Sequence, residues 1–218
     1  MAKIVLILGG VRSGKSRFAQ QLAERLGGDD VLFVATAEAG DAEMARRIQI
    51  HRTARPTAWQ TIEAAGNVGA ALQQAAPHQQ TILIDCLTLL VSNVLLNCGE
   101  NPDSNLAERQ VATEIENLLD ACGQRSGTVI MVSGEVGLGL VPESPLGRLY
   151  RDLLGWANQA VAARSDATYW LIAGLPIELQ ALAVTVEQAA APQSSPDTPW
   201  RESEHAATAA PSCSARKS

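Results

Sequence analysis

Short apolar runs alternate along the chain with longer segments of mixed polarity. Each run has five or six residues rich in β-branched and other apolar side chains, a pattern typical of strands buried on both faces. The five runs are residues 4–8, 31–36, 81–85, 128–133 and 168–173. Because they alternate with helical segments, the sequence predicts an α/β fold with a mostly parallel sheet and helices on both of its faces.

The segments between these runs carry apolar residues at the spacing of an amphipathic helix. Residues 16–26, 105–122 and 147–164 show this spacing most clearly. Asn105 and Glu108 fit a capping box at the start of the second of these segments. The three segments predict helices that cover the sheet.

Composition limits the class of protein. Hydrophobic residues make up 46% of the 218 and charged residues 18%, which is enough apolar material for a buried core and excludes wholesale disorder. The formal net charge of −6 gives no general attraction for nucleic acid or anionic lipid, so any phosphate site must be local. The apolar stretch 82–96 contains Asp85, Ser92 and Asn93, so we expect no membrane span.

The four cysteines indicate the redox compartment. They are widely spaced, without a C-x-x-C motif, and the apolar run at residues 4–8 is too short for the apolar part of a signal peptide, so we expect no secretory leader. They are Cys86, Cys98, Cys122 and Cys213. This pattern predicts reduced thiols and a cytoplasmic protein.

The composition changes near the C-terminus. Residues 189–218 are rich in Ala, Ser and Pro, and Trp200 is their only large apolar side chain. Such a segment cannot bury enough apolar surface to fold. The sequence therefore predicts a single globular domain over residues 1–188 and a disordered tail over 189–218.

The strongest motif lies between the first predicted strand and the helix at 16–26. It reads Gly9, Gly10, Val11, Arg12, Ser13, Gly14, Lys15 and Ser16, which matches G-x-x-x-x-G-K-[ST]. In this motif the backbone N–H groups and the helix N-terminus surround phosphate oxygens. The Lys15 ammonium neutralises the β- and γ-phosphates, and the Ser16 hydroxyl holds Mg²⁺. The motif predicts a nucleoside triphosphate site.

Asp85 ends the strand predicted at 81–85. A carboxylate at the carboxyl end of a neighbouring strand is the usual second protein ligand of Mg²⁺ in phosphate-loop enzymes. The other interpretation is that Asp85 caps the helix that follows at 87–96. Both interpretations remain open at this point.

Among the three histidines, only His51 has neighbours that suggest chemistry. If residues 41–55 are helical, Arg47, His51 and Arg55 share one face, with Arg46 and Arg52 beside them. The arginine charges disfavour protonation of the imidazole and can hold phosphate oxygens, which suits a histidine that attacks phosphorus. A solvated basic face is the alternative interpretation.

Several separated motifs together resemble one family. Beyond the phosphate loop they are R-I-x-x-H-R at 47–52, R-P at 55–56, D-C-L-T-L at 85–89, E-V-G-x-G-x-V-P-E at 135–143 and A-G-L-P at 173–176. In order and spacing, from about residue 3 to 180, the chain resembles the bifunctional adenosylcobinamide kinases / adenosylcobinamide-phosphate guanylyltransferases of cobalamin biosynthesis. The resemblance implies a phosphate-loop NTPase-type fold.

The resemblance implies two reactions. The first is phosphorylation of adenosylcobinamide by ATP or GTP, and the second is GMP transfer from GTP to give adenosyl-GDP-cobinamide. In the family, a histidine at the position of His51 carries GMP covalently, so His51 and Lys15 are the expected catalytic residues. Family members assemble as trimers, which implies a homo-oligomer with the corrinoid between subunits.

The resemblance also implies which residues contact the nucleotide and the metal. The nucleotide contacts are Gly9 to Ser16, Ala35, Thr36, Ala37, Arg52, Thr53, Ala54, Arg55, Glu63 and Asp85. Ser16 and Asp85 are the expected Mg²⁺ ligands. Glu135 is expected either to orient substrate or metal, or only to cap the turn that follows it.

Two residues depart from the family pattern, and other functions remain to be weighed. Gly134 stands where Asn is usual, and Gly40 stands where a larger apolar residue is usual.

A monofunctional small-molecule kinase would not need His51, and a chain that has lost one activity would keep the same fold. A GTPase-like switch is disfavoured, because the chain has no N-K-x-D motif and no D-x-x-G after Asp85.

Overall fold

Seven strands form one sheet. The computed structural model describes residues 1–38, 40, 42–53, 55–75, 79–99 and 101–190, apart from the side chains of residues 44, 47 and 51. The strands are β1 (Lys3–Gly9), β2 (Val31–Ala35), β3 (Gln60–Glu63), β4 (Thr81–Asp85), β5 (Thr128–Gly134), β6 (Ala167–Ile172) and β7 (Leu175–Glu178). Their order across the sheet is β3-β2-β4-β5-β1-β6-β7, and only β6 and β7 pair antiparallel.

Seven helices are described, of which the first six lie between strands in the sequence and the last follows β7. They are α1 (Lys15–Gly27), α2 (Ala42–Thr53), α3 (Val68–Gln74), α4 (Leu87–Asn97), α5 (Ser104–Gly123), α6 (Pro145–Ala163) and α7 (Val186–Ala190). Over the part of the chain described, none of them combines the length and apolar character needed to cross a bilayer.

The chain divides into two units, residues 1–183 and 184–218. Within the second unit, Thr185 and Gln188 exchange two hydrogen bonds at the start of α7. The predicted tail begins at residues 189 and 190, which end α7. Its remainder, residues 191–218, lies outside the described residues.

Two apolar cores lie on opposite faces of the sheet. On one face, Phe33, Leu83 and Ile130 pack with Ala19 and Ala23 of α1. On the other face, alternate strand residues pack against the apolar sides of α3, α4, α5 and α6. The mostly parallel sheet with helices on both faces is therefore confirmed. None of the described α2 side chains is buried, whereas α1 and α3 to α6 each bury side chains, so α2 has weaker tertiary packing than these helices.

The structure corrects the predicted capping box. Helix α5 begins one residue earlier than predicted, and Asp103 is its N-cap, with the side chain accepting a hydrogen bond from the Leu106 N–H at 2.8 Å. Asn105 lies inside the first turn. The Asp103 carboxylate, directly before Ser104, accepts from one of the free N–H groups of that turn, so the N-cap position predicted for Asn105 belongs to Asp103.

Candidate active site

The phosphate loop links β1 to α1 at the carboxyl end of the sheet. Gly14 has a φ of 95°, a left-handed conformation that favours glycine, and directly precedes the first residue of α1. The Lys15 ammonium donates a hydrogen bond to the Gly10 carbonyl at 3.0 Å. The Ser13 hydroxyl is buried and has no hydrogen-bond partner among the described residues. The loop therefore holds the lysine and an unused hydroxyl at the helix N-terminus.

Three residues from neighbouring strands form a row beside this loop. In the register of the sheet, Ala35 of β2 lies opposite both Glu63 of β3 and Asp85 of β4. Residues in register on parallel strands point to the same face, and adjacent strands lie about 4.8 Å apart. Two carboxylate residues are therefore separated by about 10 Å, with Ala35 between them in the register of the sheet.

Two arginines surround this row. The Arg55 guanidinium lies 3.5 Å above the ring centre of Phe33 and donates to the Thr61 hydroxyl at 3.3 Å. Burial lowers the pKa of Arg55, an effect opposed by the charge of Asp85 and reinforced by that of Arg52. Arg52 forms an ion pair with Glu63. Two of the arginines predicted to form the basic cluster, Arg52 and Arg55, thus lie beside the two carboxylates; Arg46 does not line the cleft formed there, and the Arg47 side chain lies outside the described residues.

The helix that carries these arginines is shorter than predicted. Helix α2 ends at Thr53, so Arg55 lies beyond it and does not share a helical face with residues 47 and 51. The proline at position 56 disfavours helical conformation at the preceding residue, which accounts for the early end. Arg55 reaches the site from a bend, through its stacking on Phe33.

The phosphate loop, the row and one side of α2 line a cleft of about 820 Å³. The predicted contacts that line it are Val11, Arg12, Ser13, Gly14, Lys15, Ser16, Ala35, Ala37, Arg52, Arg55, Glu63 and Asp85. Gly9, Gly10, Thr36 and Thr53 are not among its lining residues. Ala54 and the side chain of His51 lie outside the described residues, although His51 itself belongs to α2.

Two of the predicted contacts have their hydroxyl groups directed elsewhere. Thr36 is completely buried, and its hydroxyl bonds the backbone of Cys86. The Thr53 hydroxyl bonds the carbonyls of Gln49 and Ile50 within α2. The Thr36 hydroxyl is therefore used inside the fold, and a contact of Thr36 with nucleotide remains a prediction.

The structure bears on one of the two interpretations of Asp85, its role as the cap of α4. Cys86, not Asp85, occupies the N-cap position of α4, and it makes no side-chain capping bond. Asp85 instead lines the cleft together with Ser16. A carboxylate and a hydroxyl facing one cleft are the oxygen ligands that Mg²⁺ prefers, so these residues fit the ion.

Glu135 fits both of its predicted roles. Its carboxylate accepts a hydrogen bond from the Gly137 N–H and so caps the turn after β5. Glu135 also lines the cleft. Because the carboxylate keeps further lone pairs after this bond, capping the turn does not prevent a contact with substrate.

Sequence reasoning missed some residues of the cleft wall. The Thr88 hydroxyl accepts a hydrogen bond from the Gly134 N–H at 2.6 Å, and the Thr88 carbonyl accepts one from the Tyr150 hydroxyl. Burial, with a smaller contribution from Asp85, raises the pKa of Cys86 to about 11, so the thiol stays neutral. Burial also raises the pKa of Tyr150 to about 12. The D-C-x-T sequence directly after an apolar strand was the available signal.

The parallel sheet and the loop that ends its first strand define a nucleotide-binding protein of the phosphate-loop class. Residues 5–179 match the family described as cobinamide kinase / cobinamide phosphate guanyltransferase. The chain belongs to this family, and it is a bifunctional enzyme, a kinase and a guanylyltransferase. The resemblance drawn from the motifs is thereby confirmed.

Two relatives that are similar in sequence agree with this assignment. The chain is 45% identical over 175 residues to the bifunctional adenosylcobalamin biosynthesis protein CobP of Pseudomonas aeruginosa, covering 80% of this chain and 96% of that protein. It is 36% identical over 184 residues to the bifunctional adenosylcobalamin biosynthesis protein CobU of Salmonella typhimurium, covering 81% and 99%. The crystal structure of the flagellar accessory protein FlaH from Methanocaldococcus jannaschii aligns with a TM-score of 0.42 at 14% identity, covering 80% and 74%.

Proposed function

We propose that one cleft serves two reactions. The enzyme phosphorylates the aminopropanol hydroxyl of adenosylcobinamide with ATP or GTP, and it then transfers GMP from GTP, through a covalent GMP–His51 intermediate, to give adenosyl-GDP-cobinamide. The observation that supports this proposal is that α2, the helix containing His51, lines the same cleft as Lys15 through Ala45, Ile48, Gln49 and Arg52.

In the kinase step the substrate hydroxyl oxygen forms a bond to the γ-phosphorus. The bond from that phosphorus to the β–γ bridging oxygen breaks, the nucleoside diphosphate leaves, and the hydroxyl proton is released to solvent water. Lys15 and backbone N–H groups of the loop residues that line the cleft, Val11 to Ser16, neutralise the charge on the transferred group. Ser16 and Asp85 would hold Mg²⁺, which neutralises charge on the β- and γ-phosphates when bound.

In the transfer step an imidazole nitrogen of His51 forms a bond to the α-phosphorus of GTP, and the bond to the α–β bridging oxygen breaks to release pyrophosphate. A phosphate oxygen of adenosylcobinamide phosphate then displaces the imidazole from the same phosphorus. Arg52 and Arg55 line the cleft and supply positive charge for the departing pyrophosphate. Covalent catalysis divides one difficult transfer into two displacements.

The experiment that tests this proposal is incubation of the full chain with Mg²⁺ and α-labelled GTP. We expect label on the protein that is acid-labile and base-stable, as a phosphoramidate is, and that adenosylcobinamide phosphate removes. His51→Ala should abolish the label, because no other group is proposed to form the bond. His78→Ala, a change of another histidine, should keep it.

Other outcomes distinguish the alternative functions. Phosphorylation of adenosylcobinamide without any protein label would contradict the covalent step and favour a monofunctional kinase. Label that persists in His51→Ala would place the covalent intermediate on another residue. GTP binding without either product would indicate a chain that has lost its activities.

Glu63 is proposed to select guanine. A carboxylate accepts hydrogen bonds from N1–H and the 2-amino group of guanine, whereas adenine offers an acceptor at N1 and has no 2-amino group. Glu63→Gln should therefore lower kcat/KM for GMP transfer by about tenfold or more and change the ATP-driven kinase reaction little. Steady-state rates with each nucleotide measure both effects.

The matched control is Glu38→Gln, because Glu38 is a second carboxylate that lines the same cleft outside the row. This variant should retain the preference for GTP. Equal losses with ATP and GTP in Glu63→Gln would show that Glu63 supports the site through its ion pair with Arg52 and does not contact the base.

A further inference from the structure

Thr36 connects the ends of two strands beneath the cleft. It directly follows β2 and is completely buried. Its hydroxyl donates to the Cys86 carbonyl at 2.7 Å and accepts from the Cys86 N–H, also at 2.7 Å. The Thr36 N–H donates to the Asp85 carbonyl at 3.3 Å. The backbone on either side of the Asp85–Cys86 peptide bond is therefore held by one residue of the neighbouring strand.

Asn93 extends this connection to a third strand. It lies on α4, and its side-chain amide donates to the Thr36 carbonyl at 2.8 Å and to the Ala65 carbonyl at 3.0 Å. Both amide hydrogens are thus in use. Ala65 lies two residues beyond Glu63, the last residue of β3. Asn93 therefore joins the segments that follow β2 and β3.

We propose that Thr36 and Asn93 are positioning residues that fix Asp85 and Glu63 relative to each other. Neither residue lines the cleft, so they act through the backbone and not by touching nucleotide. The inference rests on the proposed function, in which Asp85 holds Mg²⁺ and Glu63 holds the guanine base of the same nucleotide. The distance between the two carboxylates must then stay fixed, although they lie on β3 and β4 with β2 between them.

Asn93 and Thr36 are expected to position different carboxylates, because the strands they hold, β3 and β4, lie at different places in the sheet. Strand β3 has four residues and lies at the edge of the sheet, so its end depends on Asn93 as well as on its pairing with β2. Strand β4 lies between β2 and β5, and its end beyond Asp85 is held by Thr36. Asn93 therefore governs the position of Glu63, and Thr36 governs that of Asp85.

The test is equilibrium binding of GTP and ATP to the full chain, with Mg²⁺ and with EDTA, at a temperature below the unfolding midpoint of every variant. Asn93→Leu should lower the ratio of GTP to ATP affinity by about five- to tenfold. In wild type, GTP should bind more tightly with Mg²⁺ than with EDTA. Thr36→Val should reduce this ratio of affinities by a similar factor and leave the affinity measured in EDTA unchanged. Thr36→Ser, which keeps the hydroxyl, should behave as wild type.

Asn97→Leu is the matched control, because it makes the same change at an exposed position of α4. Asn93→Ala and Thr36→Ala provide the same test if a first variant fails to fold. Lower unfolding temperatures with unchanged affinity ratios would show a purely structural role and overturn the proposal. A wild-type chain without guanine preference or Mg²⁺ response would instead overturn the roles of Glu63 and Asp85, and this inference with them.

Discussion

Replacement of Lys15 by alanine is expected to lower kcat/KM by about 10²- to 10³-fold in both reactions. The Lys15 ammonium lies at the N-terminus of α1, 3.0 Å from the Gly10 carbonyl, and it lines the cleft. In both reactions negative charge grows on phosphate oxygens as a bond to phosphorus breaks. A fixed positive charge stabilises that transition state more than the bound nucleotide, so kcat should fall along with kcat/KM.

Steady-state kinetics of phosphorylation and of GMP transfer measure this effect. Lys3→Ala is the control, because Lys3 is an exposed lysine at the opposite end of β1, and it should change neither rate. A rise in KM with unchanged kcat would mean that Lys15 binds the ground state only. Loss of the kinase with normal GMP labelling would mean that the two reactions do not share the loop.

The central strands and the phosphate loop were predictable because local sequence carries their signal. A strand buried on both faces needs a continuous apolar run, and β4 was predicted with the bounds that the structure has. The phosphate loop is a contiguous motif whose conformation depends on its own glycines. In both cases the information lies within a few neighbouring residues.

The row of Glu63, Ala35 and Asp85 was not predictable in the same way. Strand β3 is an edge strand with mostly exposed side chains, so it has no apolar run. Its place is set by pairing with β2, which is distant in sequence. The family resemblance named all three residues, but only the register shows that they lie side by side.

Thr36 shows why the hydrogen bonds of a side chain are harder to predict from sequence than the place of its segment in the fold. The A-T-A segment was expected to touch nucleotide, and Ala35 and Ala37 do line the cleft. Thr36, which lies between them, directly follows β2, and its hydroxyl bonds the backbone of Cys86 and does not line the cleft. The bonds of Thr36 to Cys86 span 50 residues and leave no mark in the sequence.

Gly127→Ala is expected to cause a large loss of stability at the amino end of the sheet. Gly127 has a φ of 86°, and an added Cβ would lie 2.0 Å from the carbonyl oxygen of Gln80. The same carbonyl accepts the Thr128 N–H at 2.7 Å, and the Gly127 carbonyl accepts the Lys3 N–H at 2.8 Å. The left-handed conformation costs about 1–2 kcal/mol and the forced backbone shift about 1–3 kcal/mol more.

Chemical denaturation of the full chain measures this loss, for which we expect a total of about 2–5 kcal/mol. Gly99→Ala is the matched control, because Gly99 has a φ of 97° but an added Cβ would meet no atom within 4 Å. It should show only the conformational cost of about 1–2 kcal/mol. Strands β1, β4 and β5 begin at Lys3, Thr81 and Thr128, next to Gly127. The difference between the two losses of unfolding free energy therefore measures how tightly the first residues of these three strands are packed. Equal losses of unfolding free energy in the two variants would show that the backbone near Gln80 shifts to accommodate the added methyl group without loss of stability.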